Sequence, residues 1–234
     1  MAQSDNFILA SLPATSFAEI KPLIRPVSLR RGDVLAETGT PIEYVYFPYS
    51  GIISLVVEMS EGDMIETAMT GRDGVWGAIA ALDGELSVNK VIVQLEGAAA
   101  VMTAADLRAI AKKNDAFRSL LIRHEQFILA QAQQSAACNA THLVEPRMCR
   151  WLLRMRDTAV QDDLNITQEF LGQMMGVRRT SVSLIAATLQ KAGFIKYSRG
   201  HVRILDADGL SEAACECYET VNAHYKRLFS GKSK

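Results

Sequence analysis

Apolar and polar positions divide this chain into a strand-rich first part and a helical second part. Short runs at 27–31, 44–47, 52–57, 65–69, 91–95 and 98–102 are apolar or alternate with a period of two. Glycines at 32, 39, 51, 62, 71, 74, 77, 84 and 97 punctuate them at turn positions. Many short strands so spaced predict a sandwich, roll or barrel. The period then lengthens. A short helix is predicted over 104–112 and a longer one over 116–140, with Phe117, Leu120, Leu121, Phe127 and Ile128 on its apolar side. His124, Gln131 and Ser135 interrupt the heptad of that helix. Pro146 suits the first turn of a further helix, in which Met148, Trp151, Leu152 and Met155 fall at i, i+3, i+4 and i+7. A hinge is expected at 139–144.

The segment 166–187 carries the most information. Thr167 precedes an apolar pattern and can cap a helix by accepting a bond from a free backbone N–H. Phe170, Leu171 and Met174 form its buried stripe, and Gly176 stands where the chain must turn sharply. A second helix is predicted over 178–192. At roughly 100° per residue, Val182, Ile185 and Leu189 face the core, while Arg179, Thr180, Ser183, Leu184 and Ala187 face outward. Two short helices with a polar, cationic outer face match a helix-turn-helix that enters a DNA major groove. Gly193 is expected in a left-handed cap. The stretch 194–202 reads as a hairpin turning near Arg199, a wing that brings Arg199, His201 and Arg203 towards phosphates.

Charge agrees with this division. The whole chain nets −1, but residues 145–205 hold ten Lys/Arg against five acids, and residues 1–144 hold eleven against sixteen. A basic module joined to an acidic one is the footprint of a DNA-binding domain with a regulatory partner. The opening residues have neither a basic nor an apolar leader pattern, and no apolar run approaches the ~20 residues of a membrane span. Four scattered cysteines fit a reduced, cytoplasmic chain. Cys215 and Cys217, read as two apart on one tail helix over 210–229, are expected to diverge and to make no metal pair. No metal site is expected. No Gly-x-Ser-x-Gly elbow or phosphate-binding Gly-x₄-Gly-Lys loop occurs, and the four histidines lack ligand-like spacing. No enzyme is expected. The loop Gly71-Arg72-Asp73-Gly74 reads as a hairpin turn, and His124 as a structural or solvated histidine.

The order of roll, long helix, hinge and winged helix-turn-helix resembles the Crp/Fnr family of bacterial transcription regulators over roughly residues 10–207. The likeness is most specific in Thr167-Gln168-Glu169-Phe170-Leu171-Gly172 and in Gly176-Val177-Arg178-Arg179-Thr180-Ser181-Val182-Ser183. It implies an α+β chain with an antiparallel cyclic-nucleotide-binding-like β-roll sensor (1–114), a dimerisation helix (115–140) and a winged helix-turn-helix (141–207). A C-terminal helix and tail (208–234) complete it. It also implies a homodimer on a palindromic promoter site, contact with RNA polymerase, and an effector that reorients the recognition helices.

Two departures from the family pattern stand out. Members reading the best-known half-site carry Arg, Glu and Arg where this chain has Arg179, Thr180 and Leu184. Base reading is therefore expected from Arg179, Thr180, Ser183 and Leu184, with Arg179 on guanine. Backbone contact is expected from Thr167, Gln168, Arg178, Ser181, Arg199 and His201. The ribose-binding Gly-Glu-Leu of cyclic-nucleotide binders is replaced by Gly77-Ala78-Ile79, and the Arg-Ser region reads Ser87-Val88-Asn89-Lys90. Lys90 offers a point charge but no planar fork. Gly77, Ala78, Ile79, Asn89 and Lys90 mark the expected effector pocket. Cyclic AMP is not expected to bind by the usual contacts, no cofactor is required, and the effector is unassigned. The iron–sulfur members carry clustered N-terminal cysteines, whereas none precedes Cys138 here. The alternative reading is a small-molecule-binding signalling module acting through a protein partner.

Overall fold

A computed structural model describes residues 5–229; Met1 to Ser4 and the last five residues of the tail, 230–234, lie outside the described residues. Two short helices open the chain, α1 (Phe7–Ala10) and α2 (Ala14–Ile20). The roll then comprises β1 (Arg25–Leu29), β2 (Val34–Ala36), β3 (Tyr44–Pro48), β4 (Ile52–Glu58), β5 (Met64–Thr70), β6 (Lys90–Leu95) and β7 (Gly97–Thr103). Helices α3 (Ala104–Ala111), α4 (Asp115–Thr141) and α5 (Val144–Ala159) follow. The remainder is β8 (Asp163–Asn165), α6 (Gln168–Met175), α7 (Arg179–Lys191), β9 (Ile195–Ser198), β10 (His201–Ile204), α8 (Ala207–Glu212) and α9 (Cys217–Phe229).

All strand pairing is antiparallel. One sheet of the roll runs β1-β7-β3 and the other β2-β6-β4-β5. The roll closes over a core around Phe47, Ile53, Leu107, Phe117 and Leu121. The second core does not stop at the roll's edge. Ile52, Val56, Met69, Ile92 and Leu95 project from the other face of the second sheet into a cluster with Trp151, Leu152, Leu171 and Leu189. Five successive residues of β4, Ile52 to Val56, are consequently buried. That is why this strand reads as a continuous apolar run, where a half-solvated sheet alternates. Ser54 is the polar exception, bonded to Glu66 Oε2 at 2.6 Å and Gln94 Oε1 at 2.9 Å.

The long helix differs from its sequence reading in which face does what. Phe117, Leu121, His124, Phe127 and Gln131 are all buried against this chain's own roll and tail, so His124 and Gln131 belong to the inward face and do not break an outer seam. Gln131 pairs with the Met69 backbone through both amide atoms. His124 Nε2 accepts the Val75 N–H at 3.2 Å, and burial pushes its pKa down to about 4, which keeps it neutral. The predicted single tail helix is two helices. The chain leaves α8 at Glu212 and re-enters helix at Cys217, leaving Cys215 in the connection. The expected divergence of Cys215 and Cys217 therefore does not hold: both are buried in one cluster with Cys138. Helix α9 docks on α4 of its own chain, where Tyr225 and Phe229 meet the Phe127 ring edge-on.

Candidate DNA interface and sensor cavity

The helix-turn-helix is built from local rules. Thr167 Oγ1 accepts the Phe170 N–H at 3.2 Å and starts α6. Gly176, at φ 64°, ends it in the left-handed conformation. A Cβ on Gly172 would lie 2.9 Å from the Val177 carbonyl oxygen, so this glycine lets the turn close on α6. Val182, Ile185, Ala186 and Leu189 bury the inner face of α7. Ser183 Oγ lies 2.6 Å from Gln168 Oε1 across the two helices and 3.0 Å from the Arg179 carbonyl. The wing turns through Arg199 (φ 49°) and Gly200 (φ 83°) between the paired residues Ser198 and His201, a two-residue turn whose twist suits the hairpin. Strand β8, which periodicity missed because it has three residues, completes a three-stranded sheet with the wing.

These elements leave the expected residues at the surface, and all but Arg178 lie on the recognition helix and wing or at the start of α6. Arg178, Arg179, Thr180 and Leu184 are exposed, and Ser181 and Ser183 are partly so. Leu184 is 71% exposed although apolar, with no protein loop covering it. Thr167, Gln168, Arg179 and Arg199 line a common cleft with Tyr197 between recognition helix and wing. His201 lies exposed at the start of β10. Arg179 Nε is 3.9 Å from Glu169, with both side chains mostly in solvent, so water screens this pair and leaves the guanidinium available. Arg178 lies elsewhere, in a groove between the helix-turn-helix and the β4–β5 hairpin with Glu61 and Asp63. Tyr197 was not singled out by sequence. Its hydroxyl donates to the Ile166 carbonyl at 2.8 Å and fixes the wing to the approach of α6.

The roll holds a cavity of about 290 Å³ whose apolar wall includes Leu55, Val75, Trp76 and Ile128. Gly77, Ile79 and Asn89 line it, together with Ser87 and Glu125. Ala78 is fully buried and Lys90 turns away, bonded to Glu58 at 3.3 Å and beside Glu37 at 3.5 Å. Glu125, contributed by α4, is the ionisable group on this wall. Burial raises its pKa to about 7 against the lowering effect of a bond from the Ile79 N–H.

Polar ties, buried or half-buried, join the roll to the DNA-binding half. Asp73, two residues before the cavity residue Val75, accepts from Arg154 of α5 at 2.6 Å. Glu66 of β5 accepts from the Trp151 indole N–H at 2.9 Å, and its burial raises its pKa to about 7. Neither pair carries a sequence signal, because partners about eighty residues apart meet only through the fold.

Comparison with known proteins places both halves. Residues 26–114 match the cyclic nucleotide-binding domain and residues 146–213 the Crp-like helix-turn-helix domain. The chain is 22% identical to the transcriptional regulatory protein btr of Bordetella pertussis, covering 86% of each. It is 25% identical to the transcriptional regulator SdrP of Thermus thermophilus, over 80% of this chain and 93% of that one. The structure of FixK2 from Bradyrhizobium japonicum shares the fold, with a TM-score of 0.71 at 16% identity, covering 82% of this chain and 98% of that one. No helix among the described residues is long and apolar enough to cross a membrane. The two matched domains occur in one order on one continuous scaffold, and the chain belongs to the Crp/Fnr family of DNA-binding transcription regulators.

Proposed function

We propose that the chain acts in the cytoplasm as a homodimer reading a two-fold symmetric promoter site beside RNA polymerase. A ligand other than cyclic AMP, held in the roll, adjusts the recognition helices. The observation that carries the reading is the outer face of α7, where Arg179, Thr180 and Leu184 are exposed, Ser183 partly so, and Arg179 shares a cleft with Arg199 of the wing. Arg179 pairs with a guanine edge, and Leu184 meets a thymine methyl. Thr167, Gln168, Ser181, Arg199 and His201 hold the backbone, while Arg178 anchors a phosphate once it leaves the β4–β5 hairpin.

Dimerisation is supported by the free face of α4. Ser119, Ile122, Gln126, Leu129, Gln133, Ala136 and Ala140 are all exposed and alternate in steps of three and four, the spacing of a coiled-coil seam. A non-cyclic-AMP ligand is supported by the cavity wall, which has an acid, Glu125, and no arginine fork. Asp73–Arg154 gives that ligand a mechanical route, since the loop that lines the cavity is bonded there to α5.

The test is selection of the purified full chain against a random duplex library at fixed salt without added ligand. An enriched palindrome with a guanine at the Arg179 position supports the reading. Enrichment of a single, non-repeated half-site refutes the dimer. An absence of enrichment that persists when cell-extract small molecules are added refutes DNA reading by this face.

A further inference from the structure

At the junction of the long helix, the hinge and the tail, the fold gathers four side chains that lie far apart in sequence. Cys138 and His142 come from the last turn of α4 and its end, four residues apart and so on one face. Cys215 and Cys217 come from the connection into α9. The three sulfurs and one imidazole nitrogen all lie within 4.8 Å of one another. Cys138 Sγ is 3.5 Å from Cys215 Sγ, and Cys217 Sγ is 3.5 Å from His142 Nδ1.

We propose that Cys138, His142 Nδ1, Cys215 and Cys217 form a closed tetrahedral site for one soft divalent cation of the zinc type. The dimensions fit. With metal–sulfur bonds of about 2.3 Å and metal–nitrogen bonds of about 2.0–2.1 Å, a tetrahedron has edges of about 3.5–3.8 Å. The Cys138–Cys215 and Cys217–His142 edges, at 3.5 Å, fall at that value, and the others, all within 4.8 Å, close by about 1 Å on loading. An iron–sulfur cube needs its ligands much further apart, and this cluster has no room for one. Thiolates with an imidazole favour zinc over the hard cations, which prefer oxygen.

The surroundings are those of a metal site. His142 Nε2 lies 3.1 Å from Glu216 Oε1, the carboxylate–histidine arrangement that fixes which nitrogen faces a metal. Gln134 Nε2 donates to Cys217 Sγ at 3.0 Å, a bond that a thiolate strengthens. All three cysteines are buried. On binding, each thiol releases its proton to solvent as its sulfur takes the metal, leaving three thiolates around a dication and one net negative charge. The Arg147 and Arg150 guanidiniums are near enough to interact electrostatically with Cys138. Arg147 in turn donates to the Met175 carbonyl at the end of α6, at 2.7 Å. The ion thus fastens the tail to the hinge, beside the arginine that holds Met175, the last residue before the turn of the helix-turn-helix. Four protein ligands leave no open position, so the role is a clamp and not catalysis.

The test uses the full chain, purified under reductant, stripped with chelator and titrated with Co²⁺ and then Zn²⁺. Expected are one equivalent per chain, the sulfur-to-cobalt charge-transfer band with intense tetrahedral visible bands, and their loss when Zn²⁺ displaces Co²⁺. Cys138→Ser and Cys217→Ser each lower the charge-transfer intensity per bound Co²⁺ and weaken Co²⁺ affinity. Glu216→Gln, which removes no ligand, weakens Co²⁺ affinity about 10–100-fold. Cys149→Ser, whose thiol lies outside the cluster, titrates as the parent. No band in a reduced chain with native circular dichroism overturns the proposal. So does a Cys138→Ser variant with the parent's band intensity and affinity, or a Glu216→Gln variant that binds as the parent. A Cys138–Cys215 disulfide as the cluster's only chemistry overturns it too.

Discussion

A single side chain decides sequence reading at each base pair, and Arg179 is the residue on which the proposed register turns. Its guanidinium is exposed at the first turn of α7 and only loosely held by Glu169. Arg179→Ala is expected to cost about 1–3 kcal/mol of DNA affinity and to relax preference at one base pair of each half-site. Arg199→Ala is expected to weaken all sequences alike and flatten the salt dependence. Competition binding against single-base variants separates the two, and a uniform loss for Arg179→Ala would place that residue on phosphate.

Glu66 makes the second residue-scale prediction. Its folded pKa of about 7 lies above the ordinary carboxyl value, so the folded state retains a proton that the unfolded chain gives up. This contribution is therefore fully present below the unfolded pKa of about 4.3 and is lost as pH rises to the folded value. His124, lowered to about 4, acts with the opposite sign over nearly the same window, because the unfolded chain takes up the proton that folded His124 refuses. Glu125, also raised to about 7, falls with Glu66, so His124 offsets only one of the two carboxyl slopes in the parent protein. Glu66→Gln keeps an acceptor for the Trp151 N–H and removes one slope. Relative to the parent, its unfolding free energy should climb by roughly 1.4 kcal/mol per pH unit between pH 5 and 7. Urea melts across that range check it, and parallel curves would mean that Glu66 is ionised throughout.

At the scale of the element, α4 carries a buried face and an exposed one. Its inner face, with Phe117, Leu121, His124 and Phe127, closes the roll and receives α9. Its outer face keeps Ile122 and Leu129 at 37% and 57% exposure, apolar groups that a second copy would cover. Leu129→Lys places two like charges at the centre of that seam. The expected result is a monomer in sedimentation, with affinity for a full palindrome falling towards that for a half-site. A Leu129→Lys dimer indistinguishable from the parent would move the interface elsewhere. The helix pattern alone did not assign these faces, since both are imperfect heptads and only contact with the roll tells them apart.

Across the whole molecule, the sensor and DNA-binding halves share one apolar core and several polar ties, Glu66–Trp151, Asp73–Arg154 and Arg31–Asn165 among them. The Asp73–Arg154 pair is mostly shielded, with side-chain exposures of 17% and 10%, and Arg154 also stacks over Phe127 at 5.4 Å. Removing one partner of a buried pair costs about 3–5 kcal/mol, and partial exposure puts this pair near the lower end. Asp73→Asn is expected to lower stability by that order and to speed amide exchange in α5 relative to the roll. Exchange that rises equally everywhere would show a global loss and no loosening between halves.

Local chemistry was enough for the helix-turn-helix, the wing, the six longer roll strands and the basic character of the DNA-binding half. Caps, left-handed glycines and short apolar periods act over a few residues, so they are written in consecutive letters. Thr167, Gly176, Gly193 and Arg199-Gly200 each sit where such rules put them. What the tertiary structure alone decided are encounters between distant segments. These are the burial of β4 on both faces, the two faces of α4, the Glu66–Trp151 and Asp73–Arg154 ties, and the meeting of Cys138 and His142 with Cys215 and Cys217. Each depends on loop closure and packing across tens of residues, and a period of 2 or 3.6 carries no record of which distant surface a face will meet.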